Sequence, residues 1–278
     1  MSCRALLFLI SFCPFSWALS QPAIDGFMRG KGNLDVAPSL TFENFSNYYS
    51  KINNPVSVKR TSLAANIYLA YGITNWLDLQ VSAPYVYTAA ELSNFQDISS
   101  YIKARLYQWN LESGASISFM LSAGAKLPMS NYFTESVNSI GQADTAFDSR
   151  AIVQYFRSDG FFIMAEAGYT YRLDPVPSSY PFAVKVGWAR SERYIDVWYD
   201  QQIAIGGRDY QEQRDGSTDL LFRTLGVSFG KIGITYYKPF NSINGISGTL
   251  SQVIWGRNVG QTTAISLAYV HRFKLKNQ

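Results

Sequence analysis

Cysteine and histidine are almost missing from this chain of 278 residues. Both cysteines, Cys3 and Cys13, fall within the first twenty residues, and His271 is the single histidine. The remainder of the chain therefore has no disulfide framework, no thiolate metal site and no cysteine nucleophile. One histidine cannot build a His-rich metal site either. The sequence predicts no metal and no cofactor.

A strong net charge and long apolar runs are missing as well. The formal charge is +4 without a concentrated basic stretch, which argues against a nucleic-acid partner. Mean hydropathy is −0.06, and no later run reaches the roughly 20 apolar residues of a transmembrane helix. Aromatic residues nevertheless make up 15% of the chain. Strands that show lipid only every second side chain have such a composition.

The N-terminus reads as a secretory signal peptide. Arg4 precedes an apolar run over 5–15, and Ala18-Leu19-Ser20 supplies small residues before a cleavage site. The alternative is an uncleaved anchor, for which the run is short. We expect a signal peptide over 1–20, a short periplasmic segment over 21–33 and one β-domain over 34–278.

Apolar and polar residues alternate along most of the remaining chain, and residues 161–173 show the pattern best. Phe161, Ile163 and Ala165 begin one face, whereas Met164 and Glu166 belong to the other. A period of two predicts β-strands. In a soluble sandwich the apolar face would meet a core. In an outer-membrane barrel it would meet lipid, and the polar face would line the lumen.

Alternation and turn signals predict twelve strands. Their spans are 34–47, 58–72, 76–89, 97–109, 115–127, 145–157, 161–173, 180–190, 193–205, 218–229, 231–240 and 260–274. Five short turns alternate with six longer connections, and aromatic residues cluster towards both strand ends. This arrangement favours an all-β, antiparallel, up-and-down transmembrane barrel with both termini periplasmic. The loops at 128–144, 206–217 and 241–259 would gate its mouth.

Strict alternation also predicts which side chains face the lumen and set its selectivity. Two readings of the charges stay open: a field across a pore that orients solutes, or a ladder of ion pairs that rigidifies the barrel. Inward aromatics, with Tyr107 and Trp109 among them, would form a stacking path or fill space. The selectivity candidates are Arg60, Lys103, Arg105, Lys126, Arg150, Glu166, Arg172, Lys185, Asp196, Asp200, Tyr101 and Trp198.

One segment identifies a protein family more specifically than the composition does. Residues 71–85, YGITNWLDLQVSAPY, resemble the signature hairpin of an outer-membrane family named after the meta-cleavage phenol-degradation pathway. The closing segment AISLAYVHRF, residues 264–273, is similar to the last strand of that family. The resemblance implies a barrel that passes small, often hydrophobic, molecules, and it implies no catalytic residues.

The sequence thus predicts a bacterial outer-membrane channel for passive or facilitated uptake of small molecules, and not an enzyme. Its expected partners are outer-membrane lipid, a small solute and the barrel-assembly machinery; the oligomeric state stays open. A lipid-acting enzyme is one alternative, which would need His271 beside Ser39 or Thr41, although that histidine lies near the periplasmic end. A structural barrel with a closed lumen, whose outer loops bind a partner, is the other.

Overall fold

The computed structural model describes residues 24–90, 92–210 and 222–275, and within them most of the chain is β-strand. Consecutive wall strands pair antiparallel, and β1 pairs with both β2 and β14, which closes the sheet into a barrel. No helix in these ranges is long and apolar enough to cross a membrane. The twelve wall strands are β1 (Asn33–Lys51), β2 (Asn54–Gly72), β3 (Leu77–Thr88), β5 (Asp97–Asn110), β6 (Ser116–Pro128), β7 (Ala146–Phe156), β8 (Phe161–Arg172), β9 (Ser179–Arg190), β10 (Arg193–Ala204), β11 (Ser228–Pro239), β12 (Asn244–Arg257) and β14 (Thr263–Lys274); the short strands β4 (Ser93–Phe95) and β13 (Val259–Gly260) extend neighbours near the rim.

The two ends of the barrel differ in the length of their connections. Strand β1 begins and β14 ends at one rim, where the described turns have two to five residues. The longest connections, 129–145 and 205–227, lie at the opposite rim. Outer-membrane barrels place their short turns in the periplasm, so we name the two rims periplasmic and outer. The predicted twelve-stranded antiparallel barrel is confirmed.

The number of strands is right although one strand was predicted in the wrong place. The segment 244–257, expected to be a mouth loop, is strand β12. Of the predicted strand 218–229, the first four residues lie outside the described ranges, Phe222–Thr224 form a 3-10 turn, and β11 begins at Ser228. Small residues such as Gly245 and Ser247 gave β12 the composition of a loop, but ladders to β11 and β14 on its two sides hold it in the sheet. As a result, Phe240, which is 62% exposed, lies at the periplasmic rim, and Phe229 lies near the outer rim on the inward face of β11, with its ring 5.6 Å from the Lys231 Nζ.

A β-bulge in β5 changes which side chains face lipid. Arg105 is opposite Met120 but Tyr107 is opposite Phe119, so Leu106 is an extra residue in the ladder. The bulge shifts the alternation of all later residues by one. Tyr107 and Trp109 are therefore 60% and 55% exposed on the outer surface, whereas strict alternation had placed them in the lumen.

The bulge leads to a fluorescence prediction. In vesicles containing brominated lipid, Trp109 should be quenched and Trp198, which is 2% exposed inside the barrel, should not. Replacing Trp109 with Phe should therefore lower the quenchable fraction of the emission, and replacing Trp198 with Phe should raise it. If Trp109→Phe leaves the quenchable fraction unchanged, the proposed shift in β5 is wrong.

Candidate functional site

Residues 24–32 lie inside the barrel at its periplasmic end. Ile24 is only 1% exposed and Phe27 packs edge-to-face on Phe162, with ring centroids 5.1 Å apart. Phe27 also contacts the rings of Phe156 and Tyr194. We call residues 24–32 the N-terminal plug. The inward side chains around Ile24 are Met120, Ile152, Phe162 and Met164. Burial of these apolar groups stabilises the plug in its seat.

Charged side chains fix the plug from the wall. Lys103 has no exposed side-chain surface, and its Nζ donates to the carbonyl oxygens of Asp25 and Phe27 at 2.8 and 2.7 Å. The backbone N–H of Arg29 donates to Asp78 at 3.1 Å, and its guanidinium pairs with Asp25. A buried ammonium needs such complete hydrogen bonding. Lys103, predicted as a selectivity residue, therefore holds the plug in this structure.

The ionisation of Asp25 is fixed by the same contacts. Burial alone would raise the pKa of this carboxyl group. The neighbouring cations Arg29, Lys103 and Lys185 outweigh burial and hold its pKa well below the ordinary value. Asp25 is therefore ionised throughout the neutral and mildly acidic range.

A cavity of about 350 Å³ lies in the lumen above the plug. Asp25 and Arg29 contribute to its floor, and Lys185 and Tyr101 belong to its wall. The other lining residues are Asp35, Ala37, Tyr68, Gln80, Val81, Ser82, Ser99, Ser247, Ala268 and Val270. The cavity thus combines opposite charges, amide and hydroxyl groups and two tyrosine rings.

Most of the predicted inward charges form ion pairs inside the barrel. Arg150 contacts Asp148 at 2.8 Å and also Glu166. Lys126 bridges Asp97 and Asp144, at 3.0 and 3.1 Å. Arg172 reaches Asp144 at 2.9 Å, and Asp200 lies 3.4 Å from Lys231. The ion-pair ladder, one of the two readings of the sequence, describes these contacts better than a field between separated charges.

The remaining candidates occupy different heights of the barrel. Arg105 lies at the periplasmic rim and donates to the carbonyl oxygen of Asn75 at 3.0 Å. Arg60 lines a second cavity at the outer mouth. Asp196 is buried and accepts a hydrogen bond from Tyr194. These residues do not form one site with Lys185 and Tyr101.

Trp198 fills space inside the wall. Its ring packs against Gly233. A Cβ atom at position 233 would lie only 2.2 Å from the ring, so a larger residue would clash there. Its indole N–H donates to Thr235 at 3.2 Å, and the Lys231 Nζ lies 5.4 Å from the ring centroid. A lumen of this width is filled largely by its own side chains, and Trp198 follows that pattern.

The described parts of the two longest connections meet at the outer mouth. Arg223 donates to the carbonyl oxygens of Gln142 and Ala143, both at 3.0 Å, and so ties 205–227 to 129–145. Strand alternation would have pointed Arg223 at lipid, but the residue is in a loop. The cavity below these loops measures about 210 Å³. Residues 211–217 of the predicted gating loop 206–217 lie outside the described ranges.

His271 is not arranged as a general base. It lies on the outward face of β14, opposite Val36, and its Nδ1 is 2.6 Å from the side-chain oxygen of Asn244. The buried Ser39 and Thr41 are opposite Ala268 and Ser266, which face the lumen. The expected partners of a hydrolytic pair thus lie on opposite sides of the wall.

Comparison with known proteins agrees with the barrel and the signature hairpin. The family described as "Putative MetA-pathway of phenol degradation" matches residues 38–250. The chain belongs to this family. The resemblance carried by residues 71–85 is thereby confirmed, and the match also includes most of the wall.

A solved outer-membrane channel shares the fold of this family member, and two other solved barrels resemble it less. The COG4313 outer membrane channel from Pseudomonas putida F1 has a TM-score of 0.69 at 14% identity, covering 91% of this chain and 100% of the channel. The translocator domain of the autotransporter NalP from Neisseria meningitidis reaches 0.48 at 10% identity, covering 88% and 89%. Pseudomonas aeruginosa OprD reaches 0.41 at 8% identity, covering 91% and 97%. No curated protein matches the chain.

The plug is the element that the sequence did not reveal. Its segment reads as a polar stretch before the first strand, too short for a plug domain. One signal was present: Ile24, Phe27 and Met28 are apolar residues that an exposed tail does not need. Only the packing of these residues against β6, β7 and β8 distinguishes a lumen-filling segment from a free one.

Proposed function

We propose that this chain is an outer-membrane channel for passive or facilitated uptake of small molecules, among them hydrophobic or aromatic solutes. The observation that carries the proposal is the lumen cavity of about 350 Å³ with its polar and aromatic lining. A cavity of this volume accommodates a small organic molecule. No cofactor or catalytic residue enters the proposal.

The lining supports a preference for neutral, compact solutes. The cavity holds both signs of charge, and Arg29 and Asp25 compensate each other. Tyr68 and Tyr101 offer ring faces for an aromatic solute. Because most inward charges are already paired, the lumen would favour small anions only slightly. The selectivity role of the inward residues belongs to this proposal.

The route to the outer membrane belongs to the proposal too. Residues 1–20 would act as a cleaved signal peptide, and the barrel would be inserted by the barrel-assembly machinery. The signal peptide lies outside the described residues. The lipid-facing belt of exposed Leu, Ile, Val and aromatic side chains on the described strands supports insertion.

Single-channel recording of the refolded protein in a planar bilayer tests the proposal. We expect discrete conductance with a slight anion preference, which Lys126→Gln should lower because Lys126 lies at the outer end of the lumen. The matched control is Arg157→Gln, which removes an exposed charge from a periplasmic turn. Absence of conductance from a folded barrel would favour the alternative of a structural barrel with a closed lumen. A hydrolase activity that His271→Ala abolishes would favour the enzyme.

A further inference from the structure

Two arginines face each other across the tight periplasmic turn between β9 and β10. Arg190 and Arg193 are direct ladder partners, and both are exposed. Like charges directly opposite each other destabilise an antiparallel pair. Among the described residues neither guanidinium forms an ion pair: Arg190 donates to the carbonyl oxygen of Asp159 at 2.9 Å, and the carboxylate of Asp159 is paired with Arg157 at 2.6 Å. The rim therefore keeps two uncompensated cations side by side.

A third cation continues this row around the barrel. Lys238 lies two residues beyond the exposed Tyr236 on the same face of β11. The ladder between β10 and β11 places it beside Arg193. The turn between the two arginines contains one acidic residue, Glu192, which forms no ion pair within the described ranges. We call Arg190, Arg193 and Lys238 the basic rim.

An apolar groove of about 320 Å³ begins at the two arginines on the outer surface of the barrel. Trp188, Ile195 and Tyr236 line it, and the ladder pairs Trp188↔Ile195 and Ile195↔Tyr236 place them in one row across three strands. The next outward row, further from the rim, consists of Val186, Val197 and Ile234. The groove thus has a cationic end at the rim and an apolar track towards the middle of the wall.

The aromatic residues of the groove indicate its depth in the membrane. Trp188 packs edge-to-face on Phe161, with ring centroids 5.3 Å apart, and both rings lie at the periplasmic end of the wall. Trp and Tyr side chains of outer-membrane barrels gather at the level of the lipid headgroups. The basic rim, one row beyond Trp188, therefore lies where lipid phosphates are found. Guanidinium groups bind phosphate through two parallel hydrogen bonds.

We propose that the basic rim binds the phosphate of an anionic phospholipid in the periplasm-facing leaflet, with one acyl chain lying in the groove. This inference rests on the proposed insertion of the barrel in the outer membrane, and it does not depend on conductance. A zwitterionic headgroup would add a positive charge beside three others. A free phosphate ion would leave the apolar groove unused. Both features together fit an anionic lipid.

Native mass spectrometry of the purified protein in a neutral detergent tests the site. The protein would be titrated with phosphatidylglycerol and, separately, with phosphatidylcholine, and the bound lipid counted. The test variant is Arg190→Gln/Arg193→Gln. The matched control is Lys51→Gln/Lys59→Gln, which removes two positive charges near the outer rim. Heat-modifiable gel mobility verifies that each variant is folded.

The wild type should bind phosphatidylglycerol about tenfold more tightly than phosphatidylcholine, since each cation near a lipid surface favours an anionic headgroup. Arg190→Gln/Arg193→Gln should lose most of this preference, and Lys51→Gln/Lys59→Gln should keep it. Equal affinity for both lipids, or an equal loss in the two variants, would overturn the proposal. Displacement of the lipid by inorganic phosphate would assign the basic rim to a soluble anion and would overturn it too.

Binding and conductance fail separately. A wild type that prefers phosphatidylglycerol but shows no conductance would refute the channel and support the lipid site. A conducting barrel without a lipid preference would refute the lipid site alone.

Brominated lipids locate the bound molecule. In vesicles, dibrominated phosphatidylglycerol should quench Trp188 more strongly than dibrominated phosphatidylcholine does, because Trp188 lines the groove. The contribution of Trp188 is the difference between the wild type and Trp188→Phe. Arg190→Gln/Arg193→Gln should abolish the excess quenching. If the excess persists in Trp188→Phe, the preferred lipid lies elsewhere on the wall and the assignment to this groove is wrong.

Discussion

Deleting residues 24–31 should raise the single-channel conductance severalfold while leaving the barrel folded. The plug narrows the periplasmic end of the lumen through Ile24 and Phe27, and it contributes no strand to the wall. Its removal leaves Lys103 without its two carbonyl acceptors, yet Asp78 remains 3.6 Å away as a counter-ion. Conductance in planar bilayers, with heat-modifiable gel mobility as the test of folding, measures the effect.

A point variant separates occlusion from damage. Phe27→Asp removes the aromatic contacts of the plug without shortening the chain and should reproduce the larger conductance. Lys31→Asp changes an exposed residue of the same segment and should not. A folded deletion variant whose conductance equals that of the wild type would show that the plug does not occlude the pore.

Mild acid should leave the plug seated. A carboxyl group with a depressed pKa stabilises the folded state above its unfolded pKa of about 3.9 and loses that contribution only as the pH falls through the lower folded value. Since the pKa of Asp25 is lowered, the conductance of the wild type should stay constant between about pH 8 and pH 5.

Replacing Arg150 with Met should lower the free energy of unfolding by about 3–5 kcal/mol, the usual consequence of leaving a buried charge without its partner. Glu166 has a fully buried side chain and forms an ion pair with Arg150 on the neighbouring strand β7, and the Arg150 guanidinium also contacts Asp148. Urea titration of the folded protein in detergent micelles, followed by tryptophan emission, measures the change.

The double variant Arg150→Met/Glu166→Gln tests whether the unpaired Glu166 carboxylate causes the loss of stability. Removing both charges should recover much of the lost stability, because a neutral amide is far cheaper to bury than an unpaired carboxylate. Arg157→Met, which breaks an exposed pair with Asp159, should cause no measurable change. Equal losses in the single and double variants would mean that Arg150 acts through its packing.

The wall could be read from the sequence wherever alternation is clean. In β8, Phe162, Met164 and Glu166 are buried inside and Ile163 is exposed outside, as the pattern predicts. The prediction was wrong at β12, whose inward residues are too small to give contrast, and at Leu106, where one inserted residue shifts the alternation. The alternation of a segment does not show the backbone hydrogen bonds that neighbouring strands supply, and it does not show a bulge.

The lumen was less predictable than the wall. Alternation identified Lys103 and Lys185 as inward, but only the three-dimensional structure places Asp25 and the carbonyl oxygen of Phe27 against Lys103. The partners lie more than seventy residues apart in the chain, and no local pattern joins them. Sequence analysis could therefore not predict the plug. It also could not predict that an inward lysine holds the plug instead of lining an open lumen.

By itself, the sequence determined the fold class, the number of wall strands and the family, because period-two alternation and the signature hairpin are local properties of the chain. The tertiary structure decided the seat of the plug, the pairing of the inward charges and the row of Trp188, Ile195 and Tyr236 beside the basic rim. These features depend on which distant residues the closed barrel brings together, and closure is a property of the whole sheet.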